Sequence, residues 1–148
     1  MLLQSHARFI PNAQIASRDR DFLELFHRTL GRIPPGTPPI LSVRRVSLKR
    51  RGELPGLAGL TKWGDTSLGT RIVATKGAQS ISFYTLLLSR LSEAARVGVF
   101  VHELAHAWLN EHVFPESSAA REREADALAR SWGFREELDA LDMESDPL

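Results

Sequence analysis

The chain has 148 residues, 43% of them apolar and 25% charged, an ordinary balance for one globular domain long enough to bury a core. A formal charge of +1 supplies no overall field for nucleic acid or an anionic membrane surface, and no nucleic-acid or membrane partner is expected. The absence of cysteine excludes a disulfide framework and a thiolate metal site, and no apolar run approaches the roughly 20 residues of a membrane-spanning helix.

A single domain is expected over residues 1–148, with residues 1–16 as a loose lead-in and Pro11-Asn12 as a turn. Met1 to Arg8 has no apolar signal-peptide core, so a cytoplasmic location is expected. Ser17 or Asp19 can cap a helix whose apolar stripe is Phe22, Leu23, Leu25, Phe26 and Leu30, with Gly31 at its end. His27 on that helix reads as surface or core rather than as a ligand. Pro34-Pro35-Gly36-Thr37-Pro38-Pro39 reads as a stiff connector.

Ile40 to Leu48 reads as a strand, Leu57 to Trp63 as a second and Thr70 to Thr75 as a third, with turns at Lys49 to Gly52, Pro55-Gly56 and Gly64-Asp65. Arg44, Arg45, Lys49, Arg50 and Arg51 form a basic cluster. Lacking a recognition helix or an aromatic platform beside it, it reads as a solvated strand end. Residues 81–91 fit either a strand or a short helix, and Tyr84 there reads as a core residue. Ser92-Glu93 opens a helix over 93–113, stopped before Pro115. Ser117 or Ser118 caps another, running to Trp132 and ended by Gly133. A short helix over 135–141 follows, and an acidic tail from Asp142 to Leu148 is expected to fray.

The chemistry concentrates in His102-Glu103-Leu104-Ala105-His106. On a helix, two residues four apart differ by about 40° of azimuth and one turn of rise, so both imidazoles can address one metal ion. Glu103, roughly 100° round from His102, can stand beside the metal without ligating it. Two histidines on rigid backbone and a carboxylate next to a metal-bound water are what a zinc hydrolase needs. A third protein ligand is still required, and Glu122, sixteen residues after His106, can supply it from the following helix. Asp126 shares the face of Glu122 and can accept the second ring N–H of His102 or His106.

This pattern, His102-Glu103-x-x-His106 followed by Glu122-x-x-Ala125-Asp126, resembles the gluzincin metallopeptidases: the thermolysin-like enzymes, the CAAX-prenyl-protease and heat-shock-protease families, and the minigluzincins, closest in size. The similarity extends over about residues 70–134, including Ile72 to Thr75 and the Leu-rich stretch from Leu86 to Glu93. The resemblance implies an α+β, zincin-like fold with a small twisted sheet, an N-terminal helix, an active-site helix and a C-terminal helix. It implies Zn2+ held by His102, His106 and Glu122, Glu103 as catalytic base, and Asp126 as a supporting carboxylate. It implies a zinc metalloendopeptidase whose peptide or protein substrate pairs with an edge strand, here residues 70–75.

Alternatives remain at this point. His112 follows His106 at the metzincin spacing, but the glycine that turns the metzincin chain is Leu109 here. If the helix continues, His112 lies roughly 120° from the face of His106 and misses the metal; a break at Asn110 would restore it. Met143 is the one downstream candidate for a Met-turn. Zinc binding without proteolysis, as a regulatory or interaction module, and a closed structural zinc site are the readings from other classes. Oligomeric state is open.

Overall fold

The computed structural model describes residues 8–49, 71–75, 78–113 and 118–145. Its elements, in chain order, are β1 (Gln14–Ala16), α1 (Arg20–Arg32), β2 (Val43–Lys49), β3 (Arg71–Thr75), β4 (Ala78–Tyr84), α2 (Thr85–Ser89), α3 (Glu93–His112), α4 (Ser118–Ser131) and α5 (Arg135–Ser145). The fold class is mixed, consistent with α+β. Among the described residues the sheet has the order β1-β2-β4-β3, and β3 lies at one edge. β1, β2 and β4 run parallel, and β3 pairs antiparallel with β4 from Arg71↔Ser82 to Thr75↔Ala78. No helix among the described residues is long and apolar enough to cross a membrane.

Local chemistry sets the helix boundaries. Asp19 caps α1, its Oδ1 accepting from the N–H of Phe22 at 2.9 Å. The helix passes through Gly31 and ends at Arg32 rather than at Leu30, because Ile33 precedes Pro34 and is driven to extended backbone (φ −67°, ψ 132°). Ser92 caps α3, its Oγ accepting from Ala95 N at 3.2 Å. Gly133 ends the α4 region at φ +101°, a conformation that costs glycine nothing.

The core forms where one sheet face meets α1 and α3. Val46 is paired with Ile81 and Leu48 with Phe83 across β2 and β4. Phe83 joins Phe22, Phe26 and Phe100 in a four-ring cluster whose six centroid separations run from 5.0 to 6.0 Å. Most of these pairs meet edge to face, as the ring quadrupoles prefer. On the other side of α3, α5 approaches closely at Gly98: a Cβ there would lie 2.6 Å from the backbone oxygen of Glu137 and 3.1 Å from Leu141 Cβ.

Several expectations change. Residues 8–16 are no loose lead-in: Phe9, Ile10 and Ala13 are buried, Phe9 O accepts from Ile40 N at 2.8 Å, and residues 14–16 add a parallel strand to β2. The stretch 81–91 is both things in turn, the end of strand β4 and then the short helix α2; Tyr84 is buried at the junction. The acidic tail does not begin at Asp142. α5 continues to Ser145, and the Glu144 carboxylate accepts from Ser92 N (2.8 Å) and Ser92 Oγ, tying the end of α5 to the start of α3. Arg44, Arg45 and Lys49 are exposed at β2, consistent with a solvated strand end. The expected strand over 57–63 and turns at 52–65, with Arg50 and Arg51, lie outside the described residues.

Candidate metal centre

α3 is the buried spine of the fold: Ala95 and the run from Val97 to Val101 are buried, as are Glu103 to Ala107. The Pro-rich connector is fastened to its C-terminal end. Trp108 Nε1–H donates to Pro38 O at 3.1 Å, and His112 Nε2 pairs with Pro39 O at 3.0 Å. The next bonds reach the sheet. The Glu111 carboxylate accepts from Leu41 N, Ser42 N and Ser42 Oγ at 3.1, 2.8 and 2.6 Å. The buried Gln79 amide on β4 donates to Ala107 O and Ser42 Oγ and accepts from Asn110 Nδ2. The turn that follows His106 is thereby held to the sheet on two sides.

His102 and His106 stand one turn apart on α3 with ring centroids 4.6 Å apart and planes at 90°. α4 packs against α3, Ala125 and Ala129 on it are fully buried, and Glu122 lies one turn before Ala125. Its carboxylate bridges both rings, with Oε1 3.1 Å from His102 Nε2 and Oε2 3.1 Å from His106 Nε2. The three residues offer donor atoms that all lie within 4.8 Å of one another. Donors on a tetrahedral zinc, each at 2.0–2.2 Å, are about 3.3–3.6 Å apart, so a small closure of this cluster is enough. Two imidazoles and one carboxylate are also a donor set that suits zinc. The residues fit a divalent ion.

The charges around the rings agree with the geometry. Burial works against a protonated His102, but the hydrogen bond to Glu122 and the negative charges of Glu103, Glu122 and Asp126 outweigh it and raise its pKa. The hydrogen bond from His102 and the close approach of the His106 ring nitrogen hold the Glu122 carboxyl well below the ordinary carboxylate range, against a smaller opposing effect of burial. Glu103 is fully buried beside this pair (0% exposed), whereas the Glu122 side chain is 58% exposed.

The structure thus brings together His102, His106 and Glu122, with Glu103 alongside. The hydrogen bond it gives Asp126 is from Arg130, whose Nε donates to Oδ2 at 2.7 Å; the Asp126 charge acts on His102. His112 is not in the cluster. With α3 continuous through Asn110, it sits at the helix end against Trp108, 4.4 Å between centroids, and Pro39. Met143 is 81% exposed on α5. Two sets of residues around the site were missed in the sequence. Arg130 was visible only as the i+4 partner of Asp126. The Gln79–Ser42–Glu111 network has no sequence signal, because its members are far apart along the chain. The chain matches no family model, no curated protein and no solved structure.

Proposed function

We propose that the chain is a zinc-dependent metallopeptidase of the gluzincin kind, a zincin-like domain that hydrolyses peptide bonds. The observation that carries the proposal is the convergence of His102 and His106 from α3 with Glu122 from α4, beside the buried Glu103. Among the described residues three protein donors converge, which is the count of a catalytic zinc site rather than of a closed structural one. β3, which is antiparallel and at the edge of the sheet among the described residues, supports the same reading, since an extended peptide can add to such an edge by main-chain hydrogen bonds.

Zinc in this position supplies Lewis acidity toward a carbonyl oxygen and makes a water molecule more acidic. Glu103 is the general base: an Oε takes the proton of the attacking water and returns it to the leaving amine. Its fixed place on a buried helix turn, next to His102, orients that transfer. His102, His106 and Glu122 hold the centre. β3 aligns the peptide and tolerates many sequences, because the backbone rather than the side chains is read.

The test is zinc content together with cleavage of a peptide library by the wild type and by Glu103→Gln. The expected result is one zinc per chain in both proteins and turnover lowered in the variant by about 10²–10⁴-fold, the usual contribution of a general base. A wild type that takes up no zinc, or a Glu103→Gln variant that cleaves as well as the wild type, would overturn the reading.

A further inference from the structure

We infer that Arg130 is a positioning residue for the candidate metal centre: its guanidinium sets the rotation of α4 and so the place of Glu122. The inference rests on the metallopeptidase reading only in that His102, His106 and Glu122 hold a metal.

Each of the three guanidinium nitrogens holds a different carboxylate. Nε donates to Asp126 Oδ2 at 2.7 Å, Nη1 to Asp139 Oδ1 at 2.8 Å and Nη2 to Asp142 Oδ2 at 3.3 Å. Asp126 is on α4, one turn beyond Glu122; Asp139 and Asp142 are on α5. A planar fork with donors in fixed directions suits this task, whereas an ammonium offers a point charge.

α4 needs such a device. Its fully buried residues among those described are Ala125 and Ala129, whose short side chains resist rotation about the helix axis only weakly, and Leu128 is only partly buried against the core. That rotation decides whether one carboxylate reaches both imidazoles at once. α5, by contrast, is firmly placed. It lies against α3 at Gly98, and Glu144 is fastened to Ser92. Arg32 adds a further tie, donating to Glu137 Oε2 at 2.7 Å. Arg130, itself on α4, ties that helix to α5 through Asp139 and Asp142, while its bond to Asp126 runs along α4 and fixes the direction of the guanidinium one turn from Glu122. It also holds one oxygen of Asp126, whose charge acts on His102.

The expectation is a split between two readouts. Partly exposed ion pairs contribute little to folding, and the partners of Arg130 are 39%, 59% and 68% exposed. Loss of groups that orient metal ligands, however, commonly weakens metal binding by about 10–100-fold. The experiment is a competition titration of the full chain with Zn2+ against a chromophoric chelator, beside thermal melts of the metal-free protein. Arg130→Gln is expected to weaken zinc binding by about 10-fold while lowering the metal-free Tm by less than about 4 °C. Arg130→Lys should recover only part of the affinity. The double substitution Asp139→Asn with Asp142→Asn should weaken binding too, although neither carboxylate belongs to the metal cluster. It carries the test if Arg130→Gln does not fold. Wild-type zinc affinity in Arg130→Gln, or in the Asp139/Asp142 pair, overturns the inference and leaves the metal centre standing. A wild type that binds no zinc removes the centre itself, and the inference with it.

Discussion

Gly98 is one turn before His102, in the middle of the most buried helix, and replacing it with alanine sets two effects of known size against each other. Helix propensity favours alanine by about 0.8–1.0 kcal/mol. Packing opposes it. The new Cβ would stand 2.6 Å from Glu137 O, so α3 and α5 must part by about 0.8 Å to reach the 3.4 Å of ordinary contact. The obstacle is backbone in a second helix, not the tip of a flexible side chain. A gap of that size forfeits a quarter to a half of each dispersion well along the interface, and overpacked cores lose about 1–3 kcal/mol or more. Packing should win, with a net loss of up to about 2 kcal/mol, or up to roughly 8 °C in Tm for a domain of this size. Urea and thermal unfolding of Gly98→Ala measure it. A rise in stability of about the propensity gain would show that α3 and α5 do not touch at Gly98 as described.

Two further predictions follow from the packing around α3. Phe100→Ala empties the centre of the four-ring cluster and should cost about 3–5 kcal/mol in denaturant unfolding; a loss below about 1 kcal/mol would mean that the cluster collapses to fill the space. At Glu111, burial alone would raise the carboxyl pKa, but the hydrogen bonds from Ser42 Oγ, Leu41 N and Ser42 N bring it below its ordinary value of 4.5. A group whose pKa is depressed on folding adds stability above its unfolded pKa and loses it as the pH falls through the folded one. The stability difference between wild type and Glu111→Gln should therefore be constant near neutrality and shrink below pH 4.5. A difference that stays constant down to the acid unfolding region would show that these bonds do not favour the ionised form.

What could be read from the sequence was what a single helix or cap encodes. His102 and His106 share a face because of the helical period, Glu122 and Ala125 for the same reason, and Asp19, Ser92 and Gly133 mark helix ends by their own backbone chemistry. Shorter signals failed. β1 has three residues, too few for a period of two to appear, so Phe9 and Ile10 looked like parts of a loose end. In β4 the alternation of Ser80, Ile81, Ser82 and Phe83 was legible, but the leucines that follow blurred its boundary with α2. The ties between elements were not legible at all. Glu111 meets Ser42 across 69 residues, Glu144 meets Ser92 across 52, and nothing in either neighbourhood names the other.

Those ties decide how well a metal centre can be built here. Two histidines on one helix turn are placed relative to each other by covalent geometry and need no help. The third donor comes from another helix, and its position is only as good as the chain of contacts between α3 and α4. α3 is held at three levels: by Glu144 at its first turn, by the close approach of α5 at Gly98, and by Gln79 and Glu111 at its last two turns. α4 has its two buried alanines, the partly buried Leu128 and the Arg130 fork. The arrangement is therefore stiff on the histidine side and adjustable on the glutamate side. The donor atoms all lie within 4.8 Å of one another, and the Glu122 oxygens already stand 3.1 Å from both ring nitrogens, so the adjustment an ion requires is small. On that account substitutions around α3 should act first on folding, and substitutions along the α4–α5 contact should act first on metal affinity. The melts and zinc titrations of Gly98→Ala and Arg130→Gln, run side by side, separate the two.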